Sequence, residues 1–389
     1  MKVPFLDLKL QYKELGAEVS RRFQHVFKTT SFVLGDEVEQ FEHDFARYTG
    51  TEYCVALNSG TSALHLALLA HGIGEGDEVI TVPNTFIATA EAISYTGAKP
   101  VFVDVDPDTL LMSPENLEKA ITPQTRAIIP VHLFGQPCRI DAIREIADSK
   151  GIIVIEDACQ AHGAEFSGKR VGSFGSCSVF SFYAGKNLGA YGEGGALVTD
   201  NEDIRRRVRA LRDHGQTSKH QHEYIGYNYR MDGFQGAVLN VKLQWLDKWN
   251  KLRRQNADLY RKYLIDTPVK FVEEYPQAKG VYHLMVIRAQ ERDKLREFLN
   301  DMGVQTGIHY PVPIHLQQAY KFLGWNRGEY PNCEQACDEI ISLPMYPELL
   351  QNQVQYVCHC IREFYKQQPE HEQLYEESDS KPRLEFAEA

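Results

Sequence analysis

Between about residues 50 and 200, short apolar runs alternate with helical stretches, and this alternation constrains the fold more than any other feature of the chain. The runs are rich in valine and isoleucine without alternating polar residues, which is typical of strands buried on both faces. The seven candidate strands are Cys54–Leu57, Val79–Val82, Val101–Val105, Ala127–Val131, Ile152–Ile155, Ser178–Phe182 and Ala196–Thr199. The pattern predicts an α/β fold with a mostly parallel central sheet, and ligands of such sheets bind beyond the carboxyl ends of the strands.

The chain as a whole divides into three predicted segments. Residues 1–250 are expected to form an N-terminal arm and a large domain, residues 251–366 a smaller C-terminal α+β lobe, and residues 367–389 a disordered acidic tail. The tail prediction rests on seven acidic and two basic residues with few apolar ones in residues 369–389. Asp232 is expected to cap one long helix that continues towards Leu264, because apolar residues recur with helical spacing after it.

Composition and charge exclude several classes of function. Lysine and arginine total 42 and aspartate and glutamate 53, a net charge of −11, whereas nucleic acids and anionic membranes attract basic surfaces. No apolar run reaches the roughly eighteen residues that a membrane span needs. We therefore expect no nucleic-acid or membrane partner. Several of the eight cysteines lie in apolar runs, which favours free thiols and a cytoplasmic location.

A set of five C-terminal residues could be interpreted as a zinc cluster. The set is Cys333, Cys337, Cys358, His359 and Cys360. Structural zinc sites typically contain paired cysteines with a C-x₂-C spacing, which this set lacks. No metal site is therefore predicted.

The segment Asn58-Ser59-Gly60-Thr61-Ser62-Ala63-Leu64 follows the first candidate strand and begins a helix. Free N–H groups at a helix N-terminus, together with nearby hydroxyls, bind anions such as phosphate. The segment contains neither Gly-Lys-Ser/Thr nor G-x-G-x-x-G, which argues against a nucleoside triphosphate or a dinucleotide. Simple helix capping by Asn58, Ser59 or Thr61 is the alternative.

Asp157 and Lys186 follow two other candidate strands. A carboxylate beside a buried sheet needs a cationic partner, such as a metal or a protonated ring nitrogen, unless Asp157 simply caps a helix. Lys186 is the only cation in residues 183–195, and five of the eleven residues from 185 to 195 are glycine. A lysine shielded from water has a lowered pKa and can act as a nucleophile, whereas a solvated loop lysine is the alternative.

A phosphate site, a strand-end aspartate and a shielded lysine are the three groups that pyridoxal phosphate requires. The lysine forms an imine with the cofactor, the aspartate keeps the pyridine nitrogen protonated, and the helix N-terminus holds the phosphate. The three features together predict pyridoxal phosphate as the cofactor.

Five segments resemble those of the DegT/DnrJ/EryC1/StrS sugar aminotransferases. In chain order they are Asn58–Leu64, Thr85-Phe86, Glu156–Gly163, Phe180–Gly189 and Gly226–Asp232. The resemblance extends from Pro4 to Pro347. It implies an aspartate-aminotransferase-like fold of type I, a large domain that binds pyridoxal phosphate, and a homodimer.

The resemblance also implies roles for individual residues. Lys186 matches the catalytic lysine that forms the Schiff base, and Asp157 matches the partner of the pyridine nitrogen. The other matched cofactor-binding positions are Gly60, Thr61 and Ser181 at the phosphate, Phe86 on the ring, Gln160 near the ring hydroxyl, and Asn228, which reaches the phosphate from the partner subunit.

The activity that the resemblance implies is transamination. L-Glutamate is the expected donor, pyridoxamine phosphate carries the amine, and a nucleotide-linked keto-sugar accepts it. The pattern Asp-x-x-Gln-Ala-His-Gly, present at residues 157–163, is similar to that of members that aminate carbon 3, which favours a dTDP-3-keto-6-deoxyhexose. The alternatives are a UDP-linked 3-keto-sugar, a cyclitol ketone of the scyllo-inosose type, or a non-catalytic regulatory relative that only binds pyridoxal phosphate.

Two residues are candidates for contact with the substrate. Tyr183 precedes the lysine by three residues, and His309 lies in a segment that resembles the part of the second lobe that approaches the substrate. A structural histidine in a proline-rich loop is the alternative for His309. A run of arginines could suggest a pyrophosphate site, but we expect a solvated helix face; the run is Arg205, Arg206, Arg207, Arg209 and Arg212.

Overall fold

The computed structural model describes residues 1–367, and its central sheet contains all seven predicted strands. The strands are β1 (Tyr53–Leu57), β2 (Glu78–Thr81), β3 (Lys99–Phe102), β4 (Thr125–Ile128), β5 (Ile153–Asp157), β6 (Glu165–Phe166), β7 (Lys169–Arg170), β8 (Cys177–Ser181), β9 (Gly195–Thr199), β10 (Gln216–Ser218), β11 (Gln221–His222), β12 (Lys270–Phe271), β13 (Ala278–Lys279), β14 (Met285–Arg288) and β15 (Ile340–Leu343).

The order of the central sheet is β1-β9-β8-β5-β4-β2-β3. Its strands run parallel except β9, which pairs antiparallel with both β1 and β8. The carboxyl ends of β1, β5 and β8 therefore lie at the same edge of the sheet. The prediction of an α/β fold with a mostly parallel sheet is confirmed, and the predicted phosphate, aspartate and lysine segments all follow this edge.

Helices cover both faces of the central sheet and complete the second lobe. They are α1 (Leu8–Thr29), α2 (Asp36–Thr49), α3 (Gly60–Ala70), α4 (Ala88–Tyr95), α5 (Pro114–Ala120), α6 (Ile140–Lys150), α7 (Glu202–Arg212), α8 (Gly233–Leu243), α9 (Leu246–Tyr263), α10 (Arg292–Asp301), α11 (Pro331–Glu339) and α12 (Gln351–Lys366). No helix within residues 1–367 is long and apolar enough to cross a membrane.

The prediction of one long helix after Asp232 is wrong, because α8 and α9 are separate helices. The Trp245 N–H bonds to the Lys242 carbonyl, three residues back, which tightens and ends α8. Asp232 precedes α8, but its side chain makes no capping hydrogen bond. The apolar spacing hides the break, since Trp245 and Trp249 still stack on one side of the chain, with ring centroids 6.4 Å apart.

The second lobe is built on the antiparallel sheet β12-β14-β15, packed against α9, α10 and α12. Residue 250, the predicted domain boundary, falls within α9. Trp249 packs with α1 and α8, whereas Tyr260 belongs to the core of the second lobe. The N-terminal arm joins this lobe, because Val3 bridges Val304. The division at residue 250 stays a prediction, and the predicted disordered tail, apart from residue 367, lies outside the described residues.

Glu156 fixes the end of β5 from inside the protein. This fully buried carboxylate accepts hydrogen bonds from five groups: the backbone N–H of Gly172, Phe174 and Gly175, the Ser178 hydroxyl, and Nε2 of His132 at 3.1 Å. Burial raises the pKa of Glu156, but the hydrogen bonds from His132 and Ser178 outweigh burial and lower the pKa to about 2. Glu156 therefore anchors the strand that carries Asp157.

Glu156→Gln is expected to destabilise the protein by about 3 kcal/mol, because the amide replaces one acceptor with a donor among buried donors. The wild-type carboxylate stabilises the fold fully above pH 4.5, and this contribution is lost as the pH falls towards 2. Urea unfolding of the wild type and the variant across this pH range measures both effects. Ser178→Ala, the control, removes one hydrogen bond and should cost about 1 kcal/mol. A Gln variant no less stable than this control would contradict the assignment.

Candidate active site

The carboxyl ends of β1, β5 and β8 open into a cavity of about 640 Å³. The cavity is lined by nine of the ten residues that the sequence predicts for the site: Gly60, Thr61, Phe86, Asp157, Gln160, Ser181, Tyr183, Lys186 and His309. Residues from both lobes and from the N-terminal arm contribute to the wall, since Phe5 and Met345 also line it. The chain thus brings the predicted residues together, with Asn228 as the exception.

The turn before α3 leaves its first N–H groups available for an anion. Ser59 caps the helix by accepting the Ser62 N–H at 3.0 Å. Within residues 1–367, no hydrogen bond engages the N–H groups of Gly60 and Thr61 or the Thr61 hydroxyl. Capping by Ser59 therefore leaves the next two N–H groups available, so the two interpretations of this segment are compatible, and anion binding by Gly60 and Thr61 stays a prediction.

Close packing requires glycine at position 60. A Cβ there would lie 2.8 Å from the Ser181 Cβ and 2.9 Å from the Cys159 Sγ. The α3 N-terminus is therefore pressed against the ends of β8 and β5, which places Ser181 beside the free N–H groups. This close approach forms a tight cradle of unpaired N–H groups.

Asp157 is the last residue of β5 and is 5% exposed. Its Oδ2 accepts the Thr89 hydroxyl at 2.8 Å, and its Oδ1 accepts the Cys159 N–H at 3.2 Å. No helix begins here, so the interpretation of Asp157 as a helix cap is wrong. The two hydrogen bonds hold the carboxylate in a fixed orientation at the cavity wall.

Lys186 lies half-buried in a turn closed by its own N–H, which bonds to the Tyr183 carbonyl at 2.8 Å. Its amine forms no hydrogen bond or ion pair with any residue of the described chain. Burial lowers the pKa of the Lys186 amine, whereas the nearby Cys159 thiol and Asp157 carboxylate oppose the shift. The interpretation of Lys186 as an ordinary solvated lysine is wrong, and the amine is available for chemistry.

Aromatic rings form the wall opposite the sheet. Phe86 and Tyr310 lie with ring centroids 5.5 Å apart. Gln160 donates to the Tyr310 hydroxyl at 3.4 Å and accepts the Phe134 N–H at 2.7 Å. Phe86 lines the cavity and is 52% exposed, so about half of its surface is accessible to a planar ligand.

His309 occupies the second-lobe side of the cavity. Its Nδ1 pairs with the Ser342 hydroxyl at 2.9 Å, and its ring stacks on Phe5 with centroids 5.7 Å apart. Burial and the charge of Lys186 lower the pKa of His309 to about 4. His309 is therefore neutral near pH 7, and it is both held by the fold and open to the cavity.

Seven polar lining residues were not among the predicted site residues: Ser59, Thr85, Thr89, Cys159, Glu193, His283 and Tyr310. Tyr310 directly follows His309, so it lies in the segment that was already expected to approach the substrate. Thr89 lies four residues after Thr85 on the same side of the chain, and the hydroxyls of the two are 3.3 Å apart. These positions along the chain do not reveal that Tyr310 pairs with Gln160 or that Thr89 pairs with Asp157.

Asn228 lies outside the cavity of its own chain. It is exposed, and its Oδ1 accepts two hydrogen bonds from the Arg230 guanidinium, at 2.8 and 3.2 Å. The predicted reach of Asn228 into a partner subunit stays a prediction.

The arginine run on α7 is largely the solvated face that we expected. Arg205 and Arg206 pair with Glu202 and Asp203 on the same helix. Arg212 departs from the prediction, because it is 4% exposed and pairs with Glu42.

The cavity fits pyridoxal phosphate on three counts: unpaired N–H groups in a tight cradle, a fixed carboxylate and an unpaired lysine amine. A phosphate, a pyridine nitrogen and an aldehyde carbon are complementary to these groups. The fold and the site together define a pyridoxal-phosphate-dependent aminotransferase.

Comparison with known proteins agrees with this class. A sequence model of the DegT/DnrJ/EryC1/StrS aminotransferase family matches residues 13–362. The chain is 44% identical to a pleiotropic regulatory protein of Geobacillus stearothermophilus over 94% of this chain and 99% of the relative. It is also 44% identical to the dTDP-3-amino-3,4,6-trideoxy-alpha-D-glucose transaminase of Streptomyces venezuelae, over 93% and 96%.

Among solved structures, the chain is similar to S. venezuelae DesV in complex with a ketimine intermediate. The TM-score is 0.92 at 44% identity, covering 93% of this chain and 98% of DesV. The protein belongs to the DegT/DnrJ/EryC1/StrS aminotransferase family.

Proposed function

We propose that the protein transfers the amino group of L-glutamate to carbon 3 of a nucleotide-linked keto-sugar, a dTDP-3-keto-6-deoxyhexose. The observation that carries this proposal is the convergence of Lys186, Asp157 and the free N–H groups of Gly60 and Thr61 in one cavity. These residues supply a base, a counter-charge and an anion site for the same cofactor.

Each residue has a defined task. Pyridoxal phosphate, when bound, supplies an electron sink for the electron pair released at the amino-acid α-carbon. The Lys186 amine takes the α-proton of the donor amino acid and delivers a proton when the acceptor is aminated. Taking the α-proton requires the neutral amine, which burial favours. Asp157 stabilises a protonated ring nitrogen, and Gly60 and Thr61 bind the phosphate through their N–H groups.

The acceptor is inferred from the relatives and from the rim of the cavity. The relative in Streptomyces venezuelae is a dTDP-3-amino-sugar transaminase, and Gln160 lies in the pattern Asp-x-x-Gln-Ala-His-Gly of residues 157–163. Tyr183, 55% exposed at the rim, and His309 face the space in which the sugar would lie. Both carry polar groups that can bind sugar hydroxyls.

The test separates the two half-reactions by absorbance. L-Glutamate should convert the visible band of the loaded protein to the near-ultraviolet band of the amine form. A thymidine-linked 3-keto-sugar should then restore the visible band faster than a 4-keto isomer, a uridine-linked 3-keto-sugar or scyllo-inosose. Restoration by another acceptor would reassign the substrate, and a band unchanged by glutamate would refute transamination with this donor.

A regulatory protein is the second candidate, because one relative is a pleiotropic regulatory protein. The unpaired Lys186 amine and the fixed Asp157 carboxylate favour the enzyme, since cofactor binding alone needs no available base. The same absorbance experiment distinguishes the two, because a binding protein would retain its visible band with glutamate. A cytoplasmic location is part of the proposal, supported by eight unpaired cysteines.

A homodimer with a shared site is also part of the proposal. Two aromatic side chains that line the cavity stay exposed in the single chain, Phe86 at 52% and Tyr183 at 55%, and Tyr191, five residues after Lys186, is 37% exposed. Ile225, three residues before Asn228, is 96% exposed. Apolar surface of this kind favours coverage by a second copy, and that copy would bring Asn228 to the phosphate.

Mixed dimers test this sharing. Asn228→Ala alone should weaken cofactor binding about tenfold, since one hydrogen bond to a charged group is lost. A dimer of one Asn228→Ala and one Lys186→Ala subunit should show about half the wild-type activity at limiting cofactor, because one of its two sites is intact. Activity no higher than half that of the Asn228→Ala homodimer would show that Asn228 acts within its own chain.

A further inference from the structure

The residue that follows the reactive lysine is held by three hydrogen bonds. Asn187 is 3% exposed. Its Nδ2 donates to Asn250 Oδ1 at 2.9 Å and to the Val281 carbonyl at 3.0 Å, and its Oδ1 lies 3.3 Å from His283 Nδ1. Neither asparagine lines the cavity, so an effect on catalysis has to pass through neighbouring residues.

Asn250 extends these hydrogen bonds to the segment that carries Asp157. It is 2% exposed, and its Nδ2 donates to the His162 carbonyl at 2.7 Å. Gly163 makes room for this contact, because a Cβ there would lie 2.9 Å from Asn250 Nδ2 and 2.3 Å from the Tyr48 hydroxyl. The loop of Lys186 and the loop of Asp157 and Gln160 are therefore joined through two amides.

The orientation of both amides is fixed by their partners. Asn187 Nδ2 lies between two oxygen acceptors, and Asn250 presents its oxygen to Asn187 and its nitrogen to His162. Reversing either amide would bring like groups together in a buried region, which costs more than the hydrogen bond itself gains. Only one arrangement of the two loops satisfies every group.

The pair also lies where the two lobes meet. Asn250 stands in α9 directly after Trp249, which packs on α1 and α8, and α9 then continues into the core of the second lobe. Val281 and His283 belong to the chain that leads into β14. The two amides therefore connect three parts of the molecule through hydrogen bonds: the lysine loop, the Asp157 segment and the second lobe.

We propose that Asn187 and Asn250 are positioning residues that hold the Lys186 amine at a fixed distance from the Asp157 and Gln160 wall of the cavity. This inference rests on the proposed aminotransferase function. Loss of the amide pair would let the lysine loop move and let water reach the amine.

The experiment compares two asparagines of α9. Asn250→Leu removes the amide pair. Asn256→Leu, the matched control, removes another buried amide of α9, which donates to the Tyr346 and Leu349 carbonyls, both at 3.3 Å. The first readout is the pKa of Lys186 in the cofactor-free protein, from pH-dependent acetylation and peptide mass spectrometry. The second is the single-turnover rate with glutamate, together with the Kd of glutamate.

Asn250→Leu should raise the pKa of Lys186 by about one unit. Burial lowers the pKa of this amine in the wild type, and the variant would let water reach it. It should slow the single turnover about tenfold with the Kd of glutamate within about twofold, because geometry rather than affinity is lost. Asn256→Leu should change neither quantity. If Asn250→Leu does not fold, Asn250→Ser provides the same comparison.

Equal pKa values and equal rates in the two variants would overturn the positioning role. A wild-type protein that transfers no amine would instead refute the proposed function. In that case the acetylation experiment still reports on the Lys186 loop, so the two failures are distinguishable.

Discussion

Lys186→Ala is expected to lower amine transfer by at least about 10³-fold, because it removes both the proposed covalent partner of the cofactor and the proposed base that moves the proton. The other basic side chains that line the cavity in the described chain are His283 and His309, and burial lowers the pKa of both. Apart from Lys186, no lysine or arginine of the described residues lines this cavity, so no other side chain of this kind can replace its amine. Steady-state rates at saturating cofactor, with thermal unfolding as a check on folding, measure the effect.

Lys186→Arg is the matched control, since it keeps the length and charge of the side chain but cannot lose a proton near neutral pH. It should be as inactive as the alanine variant. Borohydride treatment of the loaded wild type should attach the cofactor to Lys186, and neither variant should be labelled there. Label on another lysine, or activity of either variant above about a tenth of wild type, would contradict the assignment.

The parts of the fold that could be predicted are those with a local cause. Ile152–Ile155 is a continuous apolar run and Val79–Val82 is interrupted only by Thr81, and β2 and β5 form there because both faces of the sheet are covered. The positions of Asp157 and Lys186 followed from the strand ends, because parallel strands bring their carboxyl ends to one edge. Local sequence thus sufficed for the central sheet and for the residues directly after it.

The parts that could not be predicted depend on contacts between distant residues. The Thr89 hydroxyl meets Asp157 across 68 residues of chain, and Asn187 meets Asn250 across 63. Each of these side chains would suit a turn, a cap or a surface equally well, so its sequence neighbours do not reveal its partner. The break between α8 and α9 was missed for a related reason, since Trp245 and Trp249 keep the apolar spacing across it.

Asp157→Asn is expected to reduce amine transfer about 10²–10³-fold, because it removes the charge that we propose stabilises a protonated ring nitrogen, while preserving the shape of the side chain. The side-chain amide oxygen of this variant can still accept the Cys159 N–H, and the Thr89 hydroxyl can rotate to accept from the new amide N–H. The fold should therefore stay intact, and the loss should appear in kcat rather than in the thermal unfolding temperature.

Thr89→Val separates the charge of Asp157 from its orientation. It removes the hydroxyl that donates to Asp157 Oδ2 at 2.8 Å but leaves the carboxylate charged, so activity should fall less than about tenfold. If charge dominates, Asp157→Asn is far slower than Thr89→Val, and the double variant is no slower than Asp157→Asn, since the hydroxyl then has no charge to orient. Comparable losses in the two single variants would mean that Asp157 acts by its position, and the ring-nitrogen role would have to be withdrawn.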